Sequence, residues 1–185
     1  MPTLFYHEME SFKTELELIK SRYQEIAKPG AVENLTHASF GVSNRENQMV
    51  VGLCSLVEVC LLERAQSGVS LIRLPDVRGQ GISRLKLFLS RLGIVDFGRL
   101  KNWDRFWSVY QLRNSIVHSY GGMIVDEPNE KLMEYLSKLG LVNVLVGGRR
   151  IRLGPDALQI ILNIVDSLLR ELGADDNYVQ SKEEG

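Results

Sequence analysis

An arginine, an amide and an imidazole on one short stretch can bind and cleave a phosphodiester. Arg113, Asn114 and His118 are such a set. A guanidinium can hold phosphoryl oxygens and stabilise the charge that grows on them. A neutral imidazole can take the proton of a 2′-hydroxyl, and an imidazolium can protonate the leaving oxygen. RNA supplies its own nucleophile in that hydroxyl, so the chemistry needs no metal and no cofactor. The alternative for the same residues is structural, with Arg113 and His118 bonded to backbone carbonyls or to Glu58.

The element that must position them is the segment Asn102 to Val117. Its large apolar residues Trp103, Phe106, Trp107, Tyr110 and Val117 recur at helical spacing and fall on one face. Asn114 lies within that stripe, and Arg113 and His118 lie on its two edges, about 140° apart at 100° per residue. One helix therefore does not focus Arg113 and His118 on a point between them. Two copies meeting about a two-fold axis would bring two Arg, two Asn and two His to one cationic cleft, and a homodimer is expected. Trp103, Phe106, Trp107 and Tyr110 are expected to be core or dimer contacts rather than base-stacking platforms.

Charge distribution agrees with a polyanionic visitor. The whole chain is close to neutral, at -1. From Arg64 to His118, however, ten basic residues face three acidic ones. That asymmetry suits RNA as a partner, and a solvated basic face would produce it too. Hydrophobic residues are 44% and charged residues 24%, which places the chain among ordinary globular proteins. The first residues lack the basic-then-apolar pattern of a secretory leader. The longest apolar run, Met49 to Leu62, is broken by Ser55 and Glu58 and is too short to span a bilayer. Cys54 and Cys60 stand about 9 Å apart in rise if on one helix, too far for a disulfide, so two buried thiols are expected. With three His and two Cys a metal site is not expected. A cytoplasmic, metal-free protein follows, with no membrane segment.

The rest of the chain reads as an all-α bundle. Phe5, Met9, Phe12, Leu16, Ile19, Tyr23 and Ile26 form a heptad seam on a first helix. It packs either inside a bundle or between chains. Ala31 to Gln48 reads as a connection that can hold a short helical turn, with a helix capped by Ser43 or Asn44 running on to Ala65 or Gln66. Apolar on nearly all sides, that helix belongs in the middle. Glu58 lies inside it, and is expected either to pair with the motif cations or to face solvent at a gap between neighbours. Gly68 to Gly81 is a loop. A helix over Ser83 to Leu92 buries Leu85, Leu87, Phe88 and Leu89. Pro128 opens another over Glu127 to Leu139. Asn143 to Leu153 reads as a small β-hairpin on Gly147-Gly148, whose Arg149, Arg150 and Arg152 suit either nucleic acid or an exposed strand edge. Pro155 opens the last helix and Gly173 ends it. One domain over 1–173 and an acidic tail over 174–185 are expected. His7 and His37 have no partners at ligand spacing and read as surface residues.

The stretch Arg113-Asn114-Ser115-Ile116-Val117-His118 resembles the Arg-x4–6-His signature of HEPN domains, the higher eukaryote and prokaryote nucleotide-binding superfamily. Asn114 matches the residue that often follows the Arg. The resemblance implies a helical bundle, commonly dimeric, with the motif at the dimer cleft. It implies a metal-independent endoribonuclease of toxin–antitoxin or phage-defence systems, with Arg113 and His118 catalytic and Asn114 assisting. Arg113, His118 and Tyr120 also fit Arg-x4-His-x-Tyr. That pattern is similar to HEPN toxins paired with nucleotidyltransferase antitoxins, which implies Tyr120 as a modified residue and an antitoxin as partner. The chain is longer than those toxins and inserts the Asn143–Leu153 hairpin. The competing reading is a non-catalytic HEPN-like dimeric adaptor or nucleotide-binding module.

Overall fold

The computed structural model describes residues 2–28, 35–67, 73–118, 137–138, 140, 143–146 and 150–174. Most of them are helical. Helices α1 (Pro2–Ile26), α2 (Leu35–Ser67), α3 (Gly81–Arg91), α4 (Trp103–His118) and α5 (Pro155–Glu171) build the bundle. A 3-10 turn at Leu74–Asp76 precedes α3. Short strands β1 (Asn143–Val146) and β2 (Arg150–Arg152) pair antiparallel, Asn143 opposite Arg152 and Val146 opposite Arg150. The helix expected over 127–139 lies outside the described residues, save helical 137 and 138. The Gly147-Gly148 turn and the tail from 175 onward also lie outside them.

Helix α2 is the centre. It packs on α1, α3, α4 and α5, and α5 also packs on α1 and α4. The α1 seam is taken up inside the chain: Phe5, Met9, Leu16 and Ile19 are buried, with Phe12, Tyr23 and Ile26 packed against the core. Gly52 of α2 makes close approach possible there. A Cβ at Gly52 would stand 2.8 Å from Phe12 Cζ. The seam is therefore not a surface waiting for a second chain.

Helix α2 begins at Leu35, well before the start expected at Ser43 or Asn44. Much of the stretch expected to be a connection is instead its first turns. Val42, Glu46, Met49, Val50 and Leu53 continue one buried stripe at helical spacing. Two polar members, Ser43 and Glu46, hide that stripe from a pattern based on hydrophobicity. Gly41 costs a helix about 1 kcal/mol relative to Ala, and the burial that follows it, at Val42, Ser43, Glu46, Met49 and Val50, outweighs this.

Helix α3 buries Ile82, Leu85, Phe88 and Leu89. Leu87, expected inside, is exposed, because the face is set by Ile82 and its i+3 and i+7 neighbours. Gly93 (φ 67°) ends α3 in the left-handed conformation that favours glycine. Helix α5 buries the expected stripe, Leu158, Ile161, Leu162, Val165, Leu168 and Leu169. Cys54 and Cys60 are both buried and unpaired. Among the described residues no helix is long and apolar enough to cross a membrane.

Candidate functional site

Helix α4 is fixed along most of its length before its last turn is reached. At its start the Asn102 side chain donates to Glu171 Oε1 at 2.7 Å, tying it to the end of α5. Further on, Trp103, Phe106, Val109, Tyr110, Leu112 and Ile116 are buried. The buried face is thus wider than the expected stripe and rotated from it. Val109, Leu112 and Ile116 add a flank that the large aromatic residues outweigh in the sequence pattern. Val117, expected in the stripe, is 46% exposed at the helix end. Ser108 and Ser115 sit in the buried face with their hydroxyls donating to the Asp104 and Gln111 carbonyls, four residues back.

On α4, Asp104, Arg105, Val117 and His118 are exposed and Trp107, Gln111, Arg113 and Asn114 are half-buried; Trp107, Gln111, Asn114 and His118 form one strip at i, i+4, i+7 and i+11. Trp107 is half-buried between Trp103 and Tyr110, at ring separations of 6.0 and 5.4 Å. Lys86 of α3 places its ammonium 5.3 Å from the centroids of both indoles. The aromatic residues are therefore chiefly packing, as expected, with a cation over their open side.

Arg113 is half-buried, and its Nη1 donates to Asn114 Oδ1 at 3.1 Å. Asn114 thus braces the guanidinium from within the same turn. The charge of Arg113 reaches across to α2: burial pushes the Cys54 thiol up to about 12, with Arg113 opposing and Glu58 adding to that rise. The charges of Arg113 and Glu58 thus act on the same buried thiol in opposite directions. Among the described residues they form no ion pair with each other, so of the two alternatives for Glu58 the pairing with Arg113 is not the one seen. Glu58 instead turns toward α3. Its Oε1 and the Tyr110 hydroxyl converge over Gly81, 3.5 and 3.0 Å from where a Cβ would stand. Gly81 has φ 54°, so a side chain there would meet both backbone strain and these polar atoms.

His118 closes α4 and is exposed. It stands about 7.5 Å along the axis from Arg113 and about 140° around it. The structure brings Arg113 together with Asn114 and places Glu58 with Tyr110 at Gly81. It does not bring His118 to Arg113 within one chain. Tyr120 lies outside the described residues. A cleft of about 620 Å³ between α3 and the start of α4, lined by Lys86, Asp96 and Asp104 among others, is at the far end of α4 from His118. Among the described residues no group of three or more His, Cys, Asp or Glu is placed to hold a metal ion.

Sequence reasoning misses one ionisable residue. Glu46 of α2 is 0% exposed. Its Oε1 accepts from the Tyr23 hydroxyl at 2.6 Å. Among the described residues its Oε2 is buried with no hydrogen-bond partner. Burial pushes the carboxyl up to about 7, against the Tyr23 bond and the charge of Arg152. Burial first, then the bond to Glu46, raises the Tyr23 phenol well above its ordinary value. The signal is present in the sequence: Glu46 lies four after Val42 and three before Met49, inside an apolar period.

Comparison with known protein families, with curated proteins and with solved structures yields no match.

Proposed function

We propose that this chain is a metal-independent endoribonuclease of the HEPN type, acting as a homodimer in a toxin–antitoxin or phage-defence setting in the cytoplasm. The observation that supports this most is the last turn of α4. It offers an exposed imidazole at His118 and a guanidinium at Arg113 braced by Asn114 and left out of any ion pair with Glu58. A cation committed to a carboxylate would be a poor phosphate ligand, and Glu58 makes no such claim on this one. In this reading the HEPN-like bundle carries the β1–β2 hairpin as an insertion before α5.

The strip Trp107, Gln111, Asn114 and His118 is the accessible face of α4 that a second copy meets in this reading. Two such strips set about a two-fold axis bring His118 from each chain to one cleft, with Arg113 on the flank. His118 takes the 2′-hydroxyl proton, and the His118 of the second chain protonates the leaving oxygen. Arg113 holds the phosphoryl oxygens, and Asn114 keeps its fork oriented. Tyr120 and Glu58 are auxiliary, Tyr120 as the residue an antitoxin would modify.

The assay is RNA cleavage in EDTA by wild type, Arg113→Ala and His118→Ala. Loss of cleavage in both variants, typically about 10²-fold or more for one acid–base or oxyanion group, is the expected result. If wild type cuts nothing, or both variants cut as well as wild type, the ribonuclease reading fails and the non-catalytic adaptor replaces it. That replacement has an observation in its favour, namely the separation of about 140° between Arg113 and His118 in one chain.

A further inference from the structure

The buried carboxyl of Glu46 has no part in the chemistry at α4, and its surroundings contain a second arrangement. Three elements meet there. From α1 comes Tyr23, bonded to Oε1. From β2 comes Arg152, whose charge acts on both Glu46 and Tyr23. From α2 itself comes Phe40, with the Arg152 guanidinium carbon 4.7 Å from its ring centroid. No other described titratable group bears on Glu46.

Oε2 decides between two states. Neutral, it loses one hydrogen bond by being buried; ionised, it also loses the hydration of a charge. The burial that orphans Oε2 holds the carboxyl at about 7, so both states are populated near neutrality. A cation brought into contact would stabilise the ionised state, and among the described residues Arg152 is the one whose charge acts on Glu46. Among the described residues Arg152 forms no ion pair, and it rests on a partly exposed ring, where a cation–π contact is weak. A desolvated carboxylate offers a guanidinium more than such a ring does.

We propose that Glu46 and Arg152 form a proton-operated latch. With Glu46 neutral, Arg152 lies on Phe40, as in the structure. When Glu46 releases its proton to water, Arg152 leaves Phe40 and its guanidinium closes on Oε2, pinning β2 to α2. Arg152 stands three residues before Pro155, which opens α5, so the latch acts on the entry to that helix. The device is independent of the ribonuclease reading and survives its failure.

The test is a pH titration by NMR, following the Glu46 side-chain carboxyl carbon and the Arg152 Nε in the full chain. Both signals are expected to share one inflection near pH 7. In Glu46→Gln, a mimic of the neutral state, the Arg152 signal should stay flat from about pH 5.5 to about pH 8.5. In Tyr23→Phe the carboxylate loses a donor, and the shared inflection should move upward. A Glu46 inflection in the ordinary range near 4.5 overturns the latch. So does an Arg152 signal that stays still while Glu46 titrates. The wild-type titration alone distinguishes these results, so the test does not depend on a variant folding.

Discussion

Glu46→Gln should make the protein more stable at alkaline pH and leave it little changed at acid pH. The ordinary value for this carboxyl is 4.5, and in the fold it is held at about 7. Between those values the native state keeps a proton that the unfolded chain has released. Stability therefore falls as pH rises from about 4.5 to about 7, and stays at the lower level above. Each pH unit of that interval is worth about 1.4 kcal/mol, so the full penalty is about 3 kcal/mol. Gln has the shape of the neutral acid. Its carbonyl oxygen can still accept from Tyr23, and its amide replaces the Oε2 hydroxyl without acquiring charge. The assay is urea denaturation of both proteins at pH 5 and pH 8. At pH 5 the two should agree within about 1 kcal/mol, and at pH 8 the variant should lead by about 2–3 kcal/mol. Equal stabilities at both pH values, or a variant weaker at pH 8 than at pH 5 relative to wild type, would refute the account of a neutral buried acid.

Other outcomes follow from named contacts. Gly52→Ala drives a methyl to 2.8 Å from the Phe12 ring; it should cost about 1–3 kcal/mol by overpacking, and Phe12→Leu in the same chain should recover part of it. Cys54 and Cys60, held up to about 12 and about 11 by burial, should resist alkylation at pH 8 in the folded protein and react fully in urea. His118→Ala should change stability by no more than about 0.5 kcal/mol, since the side chain is exposed. Phe106→Ala, fully buried, should cost about 3–5 kcal/mol in the same urea denaturation. That contrast separates a lost active site from a lost fold in the cleavage assay.

Much of the bundle is legible in the sequence because burial repeats with the helical period. The α1 seam, the α5 stripe and the two buried cysteines need no more than that periodicity. The sequence pattern shortens α2 for a physical reason. Polar residues at Ser43 and Glu46 occupy stripe positions, and a hydrophobicity pattern scores them as surface even though Tyr23 reaches Glu46. The same bias displaces the α4 face: aromatic side chains weigh heavily, but Val109, Leu112 and Ile116 are half of its buried apolar residues. At the motif, the angular split of Arg113 and His118 is readable from spacing alone. The influence of Arg113 on the Cys54 thiol is not, because it depends on how α4 rolls against α2. Leu87 is misplaced for a similar reason, since α3 has few turns and three consecutive apolar residues leave its roll undetermined.

The place of α2 bears on how the molecule opens. It shares a contact surface with each of α1, α3, α4 and α5. Detaching α1, or α3, or α5 uncovers one side of α2 and leaves the remaining sides packed. Detaching α2 uncovers all of them together. Native-state hydrogen exchange should therefore be graded: amides of α1 and α3 released through separate partial openings, and those between Val50 and Leu61 released only when the whole chain unfolds. Glu46 lies one turn before that slowest segment. Its protonation thus weighs on the global step as well as on any local one.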